Sequence, residues 1–243
     1  MDRRGFLGLG ALAATASLWL PESFESTEFA EAATSIKPKY PSGVISGLPG
    51  HAARVAWTVD DGYSQLALKN YLDFLHNTGT RLTFFVIANA APWRSLRKEL
   101  FPLVQSGQVQ LANHTTSHPN LQKLSGSRIR YELSNCAKFI QGEYGVNPAP
   151  VFRPPYGYYD KRVLSEAAAA GFRTCAMWYG SLGDGGKTTP KHRLQLADQW
   201  MTAGRIVIGH ANLVTSPADL LRIRAIIDGR GLQTATLNDI WRA

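Results

Sequence analysis

The sequence predicts one α/β domain, a distorted (β/α) barrel of about seven parallel strands, and three observations predict it. Short apolar runs alternate with helix-patterned stretches from about residue 53 onward, an order that favours a parallel sheet covered by helices. Glycines recur near the ends of the helical stretches, where a left-handed C-cap favours glycine. A chain of 243 residues is long enough for one sizeable core. With this many units in one domain, closure into a barrel is favoured over an open sheet.

The predicted strands are the short apolar runs between the helical stretches. They span residues 54–59, 81–87, 109–113, 150–153, 172–178, 205–209 and 232–237. In the first helical stretch, Leu68, Leu72 and Leu75 fall on one face at spacings of four and three, which is typical of an amphipathic helix that buries one side.

Two segments precede the predicted domain. Residues 1–32 have the order of a twin-arginine-type signal peptide, with an arginine pair, an apolar run from Gly8 to Leu20 and a small-residue site at Ala30 to Ala32. The alternative is a membrane anchor, but this run of about 13 residues is short against the roughly 20 that span a bilayer. Residues 33–52, rich in proline and glycine after residue 36, form a predicted linker or strap, which leaves 53–243 as the folded domain. Cleavage near Ala32 then leaves a secreted or wall-associated protein with no membrane span.

The charge balance bears on partners. The chain has a formal net charge of +8, and its first 32 residues hold two arginines against five acidic residues, so the remainder carries about +11. A basic exported protein is drawn to anionic surfaces such as a bacterial wall, although simple solubility explains the charge equally well. The basic residues form no long block and no recognition motif, which argues against nucleic acid as a partner.

The two cysteines, Cys136 and Cys175, leave two interpretations open. An exported protein can form disulfides, but a separation of 39 positions gives no geometric evidence for one. Two buried free thiols are the alternative.

Two carboxylates follow the first predicted strand. Asp60 and Asp61 are adjacent, and burying both in a cleft is costly unless a cation or an arginine compensates. Barrels of this type gather functional residues where their strands end. We interpret the pair as one carboxylate for a metal and one for a proton, with a solvated Asp-Asp turn as the alternative.

Two histidines follow the third predicted strand. His114 and His118 are four positions apart, so they share one face of a helical turn, a spacing that suits a single metal ion. Two structural histidines are the alternative interpretation. With Asp61 they make an Asp/His/His set, and three ligands with open positions are typical of a catalytic site.

Three further strands also end in residues of a catalytic type. Arg153 follows the fourth strand, Trp178 and Asp184 follow the fifth, and His210 follows the sixth. Each alone has a structural alternative: a surface arginine at a rigid turn, a core tryptophan, a packed histidine. Their common position at carboxyl ends favours function, because chance would scatter them over both ends of the barrel.

Five segments resemble, in order, the five motifs of the polysaccharide deacetylase family, the NodB-homology group known as carbohydrate esterase family 4. They are residues 58–62, 114–119, 153–156, 178–184 and 206–210. The resemblance extends over about residues 55–237 and implies the NodB-type distorted barrel. One small departure lies in the first motif, where Val59 replaces the usual aromatic residue.

The resemblance implies a metal site and a base. The ligands of a divalent ion, usually zinc in this family, would be Asp61, His114 and His118. Asp60 would be the general base, and Arg153 would orient it.

The same resemblance implies an acid and two substrate contacts. His210 would be the general acid, with Asp184 holding its imidazole. Tyr156 would offer its backbone N–H to the oxyanion, and Trp178 would line the pocket for the acetyl methyl group. Gly185 stands where a tryptophan often follows the acidic residue of the fourth motif, which weakens the apolar wall.

The predicted function is therefore metal-dependent removal of N-acetyl groups from a polysaccharide such as peptidoglycan or a chitin-like polymer. Two alternatives stay open. The same groups would serve an O-acetyl xylan esterase or a hydrolase of small amides. A barrel that binds glycans without catalysis is the second alternative.

Overall fold

The computed structural model describes residues 37–50 and 53–243, and nine short strands lie within them. These are β1 (Gly43–Ile45), β2 (Arg54–Asp61), β3 (Leu82–Val86), β4 (Val109–Asn113), β5 (Val151–Phe152), β6 (Thr174–Ala176), β7 (Gly180–Ser181), β8 (Ile206–His210) and β9 (Gln233–Thr234). All seven predicted strands are present. The strands predicted at 150–153, 172–178 and 232–237 are each only two or three residues long, and Leu237, predicted to end the last strand, begins a helix.

The strands form one curled parallel sheet, which confirms the predicted distorted (β/α) barrel. Their order is β1-β6-β5-β4-β3-β2-β8-β7, with β9 also paired to β2, and the described strand pairs are all parallel. Beyond the β1 end of this path, an antiparallel bridge joins Gly47 to Arg205 beside β8. The two sides of the curled sheet are thus linked through backbone hydrogen bonds.

Two strands were not predicted. β1 lies in the segment predicted as a linker or strap, and it pairs with β6 from Gly43 to Ile45. β7 is only two residues long and pairs with β8. Both are too short to show a hydrophobic period, and β1 is surrounded by prolines and glycines, so only the sheet pairing reveals them.

Eight α-helices of the described residues connect and cover the strands. They are α1 (Gln65–Thr78), α2 (Pro92–Ser95), α3 (Arg97–Gln105), α4 (Gly126–Tyr144), α5 (Lys161–Ala169), α6 (Pro190–Trp200), α7 (Pro217–Gly229) and α8 (Leu237–Ile240). Hydroxyl or carboxylate N-caps begin the longer ones, for example Ser64 at α1 and Ser125 at α4. On α1 the predicted face, Leu68, Leu72 and Leu75, is buried.

Alternation along β2 decides which of its side chains reach the inside of the barrel. Val55, Trp57 and Val59 belong to the apolar layer that also contains residues of α1, whereas Ala56 belongs to a separate cluster with residues of neighbouring strands. Because side chains alternate along a strand, Asp60 lies on the same face as Ala56. Its carboxylate therefore enters the interior of the barrel at its carboxyl end.

Cys136 and Cys175 are buried free thiols. They belong to different apolar clusters, which agrees with the second interpretation of the cysteines.

The predicted signal peptide and its cleavage site lie outside the described residues, and the domain boundary at residue 53 stays a prediction. Within the described residues, no helix is long and apolar enough to cross a membrane.

Candidate active site

A pocket of about 240 Å³ opens at the carboxyl ends of the parallel strands. Seven of the nine predicted site residues line this pocket, together with four other residues. Its lining is Asp60, Asp61, His114, His118, Tyr156, Gly157, Trp178, Gly185, Ile208, His210 and Asn212. Arg153 and Asp184, the other two predicted residues, contact lining residues from behind.

Three potential metal ligands converge in this pocket. The Oδ1 atom of Asp61 lies 3.3 Å from Nε2 of His114 and 3.4 Å from Nε2 of His118. One ligand atom from each residue lies within 4.8 Å of the others. The strand end of β2 and the loop after β4 thus bring together residues that are 53 or more positions apart.

The hydrogen bonds made by His114 and Asp61 leave one atom of each residue free to bind a cation. The imidazole of His114 makes a 2.8 Å contact from Nδ1 to the carbonyl oxygen of Arg153; a proton on Nδ1 then leaves the Nε2 lone pair for a metal. Asn212 donates to Oδ2 of Asp61, whereas the buried Oδ1 has no hydrogen-bond partner among the described residues. A buried, unpaired carboxylate oxygen facing two imidazole nitrogens fits a divalent ion.

The backbone at this site is strained. Four non-glycine residues of the described chain have positive φ, and all four belong to the site loops: Asp61 (78°), Thr115 (73°), His118 (59°) and Tyr156 (60°). Such conformations persist only where surrounding contacts impose them, and they cluster at functional sites.

The pKa values around the three ligands respond to their mutual charges. Burial raises the pKa of Asp61, but the close contact with His114 and the charges of His114, His118 and His210 outweigh it and lower the pKa to about 2. Burial and His114 lower the pKa of His118 to about 4. Burial lowers the pKa of His114, yet the carboxylates of Asp60 and Asp61 raise it above its usual value. The site therefore keeps its carboxylate ionised and attracts positive charge.

Asp60 is held by an arginine inside the barrel. Arg153 is fully buried, and its Nη1 donates to Oδ1 of Asp60 at 2.5 Å and to Oγ1 of Thr58 at 3.0 Å. Its Nε donates to the carbonyl oxygen of Ala176, and the guanidinium lies 3.9 Å from the ring centre of Phe85. These contacts fix Oδ1, while Oδ2 of Asp60 faces Nε2 of His114 at 3.5 Å.

His210 lines the pocket from the end of β8 and has an acidic partner. Its Nδ1 lies 3.0 Å from Oδ1 of Asp184, and its backbone N–H donates to Oδ2 of the same carboxylate. Burial lowers the pKa of His210, but the hydrogen bond to Asp184 and the charges of Asp60, Asp184 and Asp61 raise it above its usual value. The pairing of His210 with Asp184 leaves Nε2 directed toward the pocket.

The loop after β5 contributes a backbone donor and an aromatic rim. The N–H of Tyr156 donates to no described acceptor, and its ring lies 4.5 Å from that of His118. Gly157 has a φ of +71°, and a Cβ there would lie 2.9 Å from the ring of Trp178. Glycine is therefore required for the loop to approach Trp178 so closely.

Gly185 leaves the imidazole of His210 uncovered on one side. A Cβ at this position would lie 3.1 Å from Cε1 and 3.3 Å from Nε2 of His210. A side chain here would contact the imidazole, so the glycine opens the pocket at the point where the resemblance implies a tryptophan.

Two polar residues at the site were missed by the sequence analysis. Asn212 accepts from the N–H of Tyr63 through Oδ1 and donates to Asp61, and its position two residues after His210 was the available signal. Glu132, in the middle of α4, accepts hydrogen bonds from the loop that holds the two histidines. A glutamate inside a helix is ordinarily exposed, so nothing in the sequence around Glu132 indicated a buried role.

The fold and the pocket define a (β/α)-barrel protein with an Asp/His/His metal-type site at its strand ends. The family model for polysaccharide deacetylases matches residues 48–175. That range is more than half of the chain, and the chain belongs to the polysaccharide deacetylase family. The match includes the first three motif segments and ends before Asp184 and His210.

Two curated relatives align with about half of the chain. Chitin deacetylase 1 of Cryptococcus neoformans var. grubii is 36% identical over 129 residues, covering 53% of this chain and 26% of that protein. A peptidoglycan-N-acetylglucosamine deacetylase of Listeria monocytogenes is 30% identical over 145 residues, covering 57% of this chain and 30% of that protein. The aligned part is thus about a third or less of these relatives.

The solved structures extend the similarity of the fold. A CE4 family pseudoenzyme from Bacillus anthracis superposes with a TM-score of 0.71 at 20% identity, covering 82% of this chain and 69% of the other. At this identity the likeness shows the fold alone. Because a pseudoenzyme shares the barrel, the barrel by itself does not establish catalysis, which depends on the residues of the pocket.

Proposed function

We propose that this protein is a metal-dependent hydrolase that removes N-acetyl groups from an acetylated polysaccharide of the chitin or peptidoglycan kind. One observation carries the proposal. The candidate metal ligands Asp61, His114 and His118 share their pocket with a second carboxylate, Asp60, and with a carboxylate-paired imidazole, His210. Hydrolysis of an amide needs these components together: an electrophile, a base and an acid.

The metal is proposed to be zinc. Two imidazoles and one carboxylate are ligands that zinc accepts, and a three-residue set leaves coordination positions for water and substrate. Bound there, the ion would polarise the acetyl carbonyl and acidify a water molecule.

The remaining steps belong to the side chains and backbone of the protein. Asp60 takes the proton of the attacking water, while Arg153 holds its Oδ1 in place. The N–H of Tyr156 donates to the oxyanion, a contribution typically worth about 3 kcal/mol per donor. Trp178 bounds the space for the acetyl methyl group.

His210 completes the reaction by protonating the departing nitrogen. A poor amine leaving group needs this proton, and the carboxylate of Asp184 at 3.0 Å stabilises the charged imidazolium that donates it. Each group therefore has one task in the proposed reaction.

The curated relatives support the substrate class. Their printed names specify chitin and the N-acetylglucosamine of peptidoglycan, which are both polymers of N-acetylated sugars. We extend that class to this chain because the base, the ligands and the arginine fall within the matched residues 48–175.

We further propose that the protein acts outside the cytoplasm. The twin-arginine-type order of residues 1–32 and the net charge of about +11 for the remainder support export and attraction to an anionic wall. Fractionation of producing cells tests this, and retention in the cytoplasm with residues 1–32 intact would contradict it.

The decisive experiment measures acetate release from chitin oligosaccharides, peptidoglycan and acetylated xylan, each with chelator, without chelator and after zinc is restored. We expect release from an N-acetylated substrate that chelator abolishes and zinc restores. Preferential release from xylan would make the protein an O-acetyl esterase with the same site. Absence of release from every substrate in the zinc-loaded protein would leave a non-catalytic glycan-binding barrel and refute the proposal.

A further inference from the structure

Glu132 is a buried carboxylate that contacts the histidine loop from outside the pocket. It lies in the middle of α4 and is only 1% exposed. Its Oε2 accepts from the backbone N–H groups of Thr116 at 3.1 Å and Ser117 at 2.9 Å. Its Oε1 accepts from the hydroxyl of Ser117 at 3.0 Å and pairs with Arg128 at 3.2 Å.

A buried carboxylate is costly unless it is well paired. Here three donors of one short loop converge on one side chain, and the hydroxyl of Thr116 also donates to the backbone carbonyl of Glu132 at 2.8 Å. The loop and the helix are thereby joined by four hydrogen bonds. None of these groups lines the pocket.

The loop that Glu132 holds lies between the two imidazoles. Thr115 and His118 both have positive φ, a conformation that costs free energy for a residue with a side chain. Local contacts also act on this turn, since Thr115 N–H donates to Asn113 Oδ1 and His118 N–H donates to Thr115 Oγ1. Those contacts are internal to the loop, whereas Glu132 anchors it to a separate element.

We infer that Glu132 is a positioning residue for the metal site: it holds the strained loop so that the imidazole of His118 lies beside the imidazole of His114 and the carboxylate of Asp61. This inference rests on the metal site of the proposed function. Residues that orient metal ligands from behind commonly change metal affinity by about 10- to 100-fold when mutated. The effect should therefore appear in metal binding itself, apart from catalysis.

The test measures the zinc dissociation constant of the purified protein by competition with a chromophoric chelator, together with the unfolding temperature of the metal-free protein. Glu132→Gln preserves the shape of the side chain but places an amide group opposite N–H donors. We expect zinc affinity to fall by about 10- to 100-fold. Ser117→Ala, which removes only the hydroxyl donor, should give a smaller loss of zinc affinity. It is the alternative test if Glu132→Gln does not fold.

A matched control separates positioning from general weakening of the helix. Leu133→Val alters the next residue of α4, which is buried in an apolar cluster, and leaves the contacts of the carboxylate unchanged. We expect a lower unfolding temperature with zinc affinity unchanged. Wild-type zinc affinity in Glu132→Gln, or an equal loss in Leu133→Val, would overturn the inference.

Failure of the metal site itself is distinguishable from failure of this inference. If the wild-type protein binds no zinc, or if His118→Ala binds it normally, both the metal site and the role of Glu132 are refuted. If the wild type binds zinc and releases acetate while Glu132→Gln binds zinc equally well, the proposed function survives and only the inference falls.

Discussion

His118 and His210 line the same pocket but differ in their electrostatic surroundings. On the His118 side, burial and the neighbouring His114 lower the pKa to about 4. On the His210 side, burial acts in the same direction, but the carboxylate of Asp184 and the other acids raise the pKa. Burial lowers the pKa of both rings, so the difference between them lies in their neighbours: the charge of His114 adds to burial at His118, whereas the acidic groups outweigh burial at His210.

The ligand His114 and the proposed acid His210 also differ in the group that contacts Nδ1 of each ring. His114 contacts a backbone carbonyl through Nδ1, an uncharged acceptor that orients the ring and leaves Nε2 for a metal. His210 contacts the carboxylate of Asp184 through Nδ1, which favours the doubly protonated ring. One residue type thus serves two kinds of chemistry within one pocket of about 240 Å³.

The largest expected effect is on turnover when the proposed base, Asp60, is replaced. Asp60→Asn should keep the metal ligands but cannot take a proton, so kcat should fall by about 10³- to 10⁴-fold, at the upper end for general base catalysis. Acetate release and metal content are measured on the same preparation. Full turnover in this variant would overturn the assignment of the base.

Removing each imidazole should affect a different property of the protein: zinc affinity for His118 and turnover for His210. His118→Ala should lose zinc affinity by at least about 100-fold, as expected for removal of a direct ligand. His210→Ala should bind zinc normally but lose about 10²- to 10³-fold in kcat on an amide. Zinc titration alongside acetate kinetics checks both, and the distinction between the sides fails if His210→Ala releases its zinc.

Asp184→Asn tests the cause of the raised pKa on the His210 side. The carboxylate favours the protonated ring, so its loss lowers the pKa of His210. Activity requires the protonated acid and declines as pH rises through that pKa; the basic limb of the kcat/KM profile should therefore move to lower pH, with about a 10-fold loss at neutral pH. An unmoved basic limb would show that His210 is not the acid that the profile reports.

The smallest expected effect concerns the contact behind Asp61. Asn212→Ala removes the donor to Oδ2 of Asp61 while Oδ1 keeps its place between the imidazoles. Zinc affinity should fall by about 10-fold, at the low end for an orienting contact, and the pH profile should keep its shape. Chelator competition measures the first quantity, and a loss as large as that of His118→Ala would contradict the assignment of Asn212 to an orienting role.

Most of the architecture could be predicted because it depends on repeated local patterns. Apolar runs alternating with amphipathic stretches indicated seven of the strands, and the glycines predicted at helix ends include the left-handed C-caps Gly79 and Gly145. β1 and β7 could not be predicted. They are two or three residues long, and their extended form depends on pairing with β6 and β8.

The residues of the site also fall into those that the sequence could predict and those that it could not. Asp60, Asp61, His114 and His118 could be selected from their spacing and from their position after predicted strands. Glu132 and Asn212 could not, because their importance lies in contacts made across the fold. A helical glutamate and a loop asparagine have no distinctive local pattern.

The sequence by itself determined the alternation of strands and helices, and with it the end of the barrel at which the polar residues gather, because side-chain periodicity and strand direction are local properties. Only the tertiary structure decided which atoms meet. The 3.0 Å pairing of Asp184 with His210, the burial of Arg153 against Asp60 and the anchoring of the histidine loop by Glu132 join residues from different elements. Such contacts depend on the curvature of the sheet and the strained turns at its carboxyl end, which no single segment encodes.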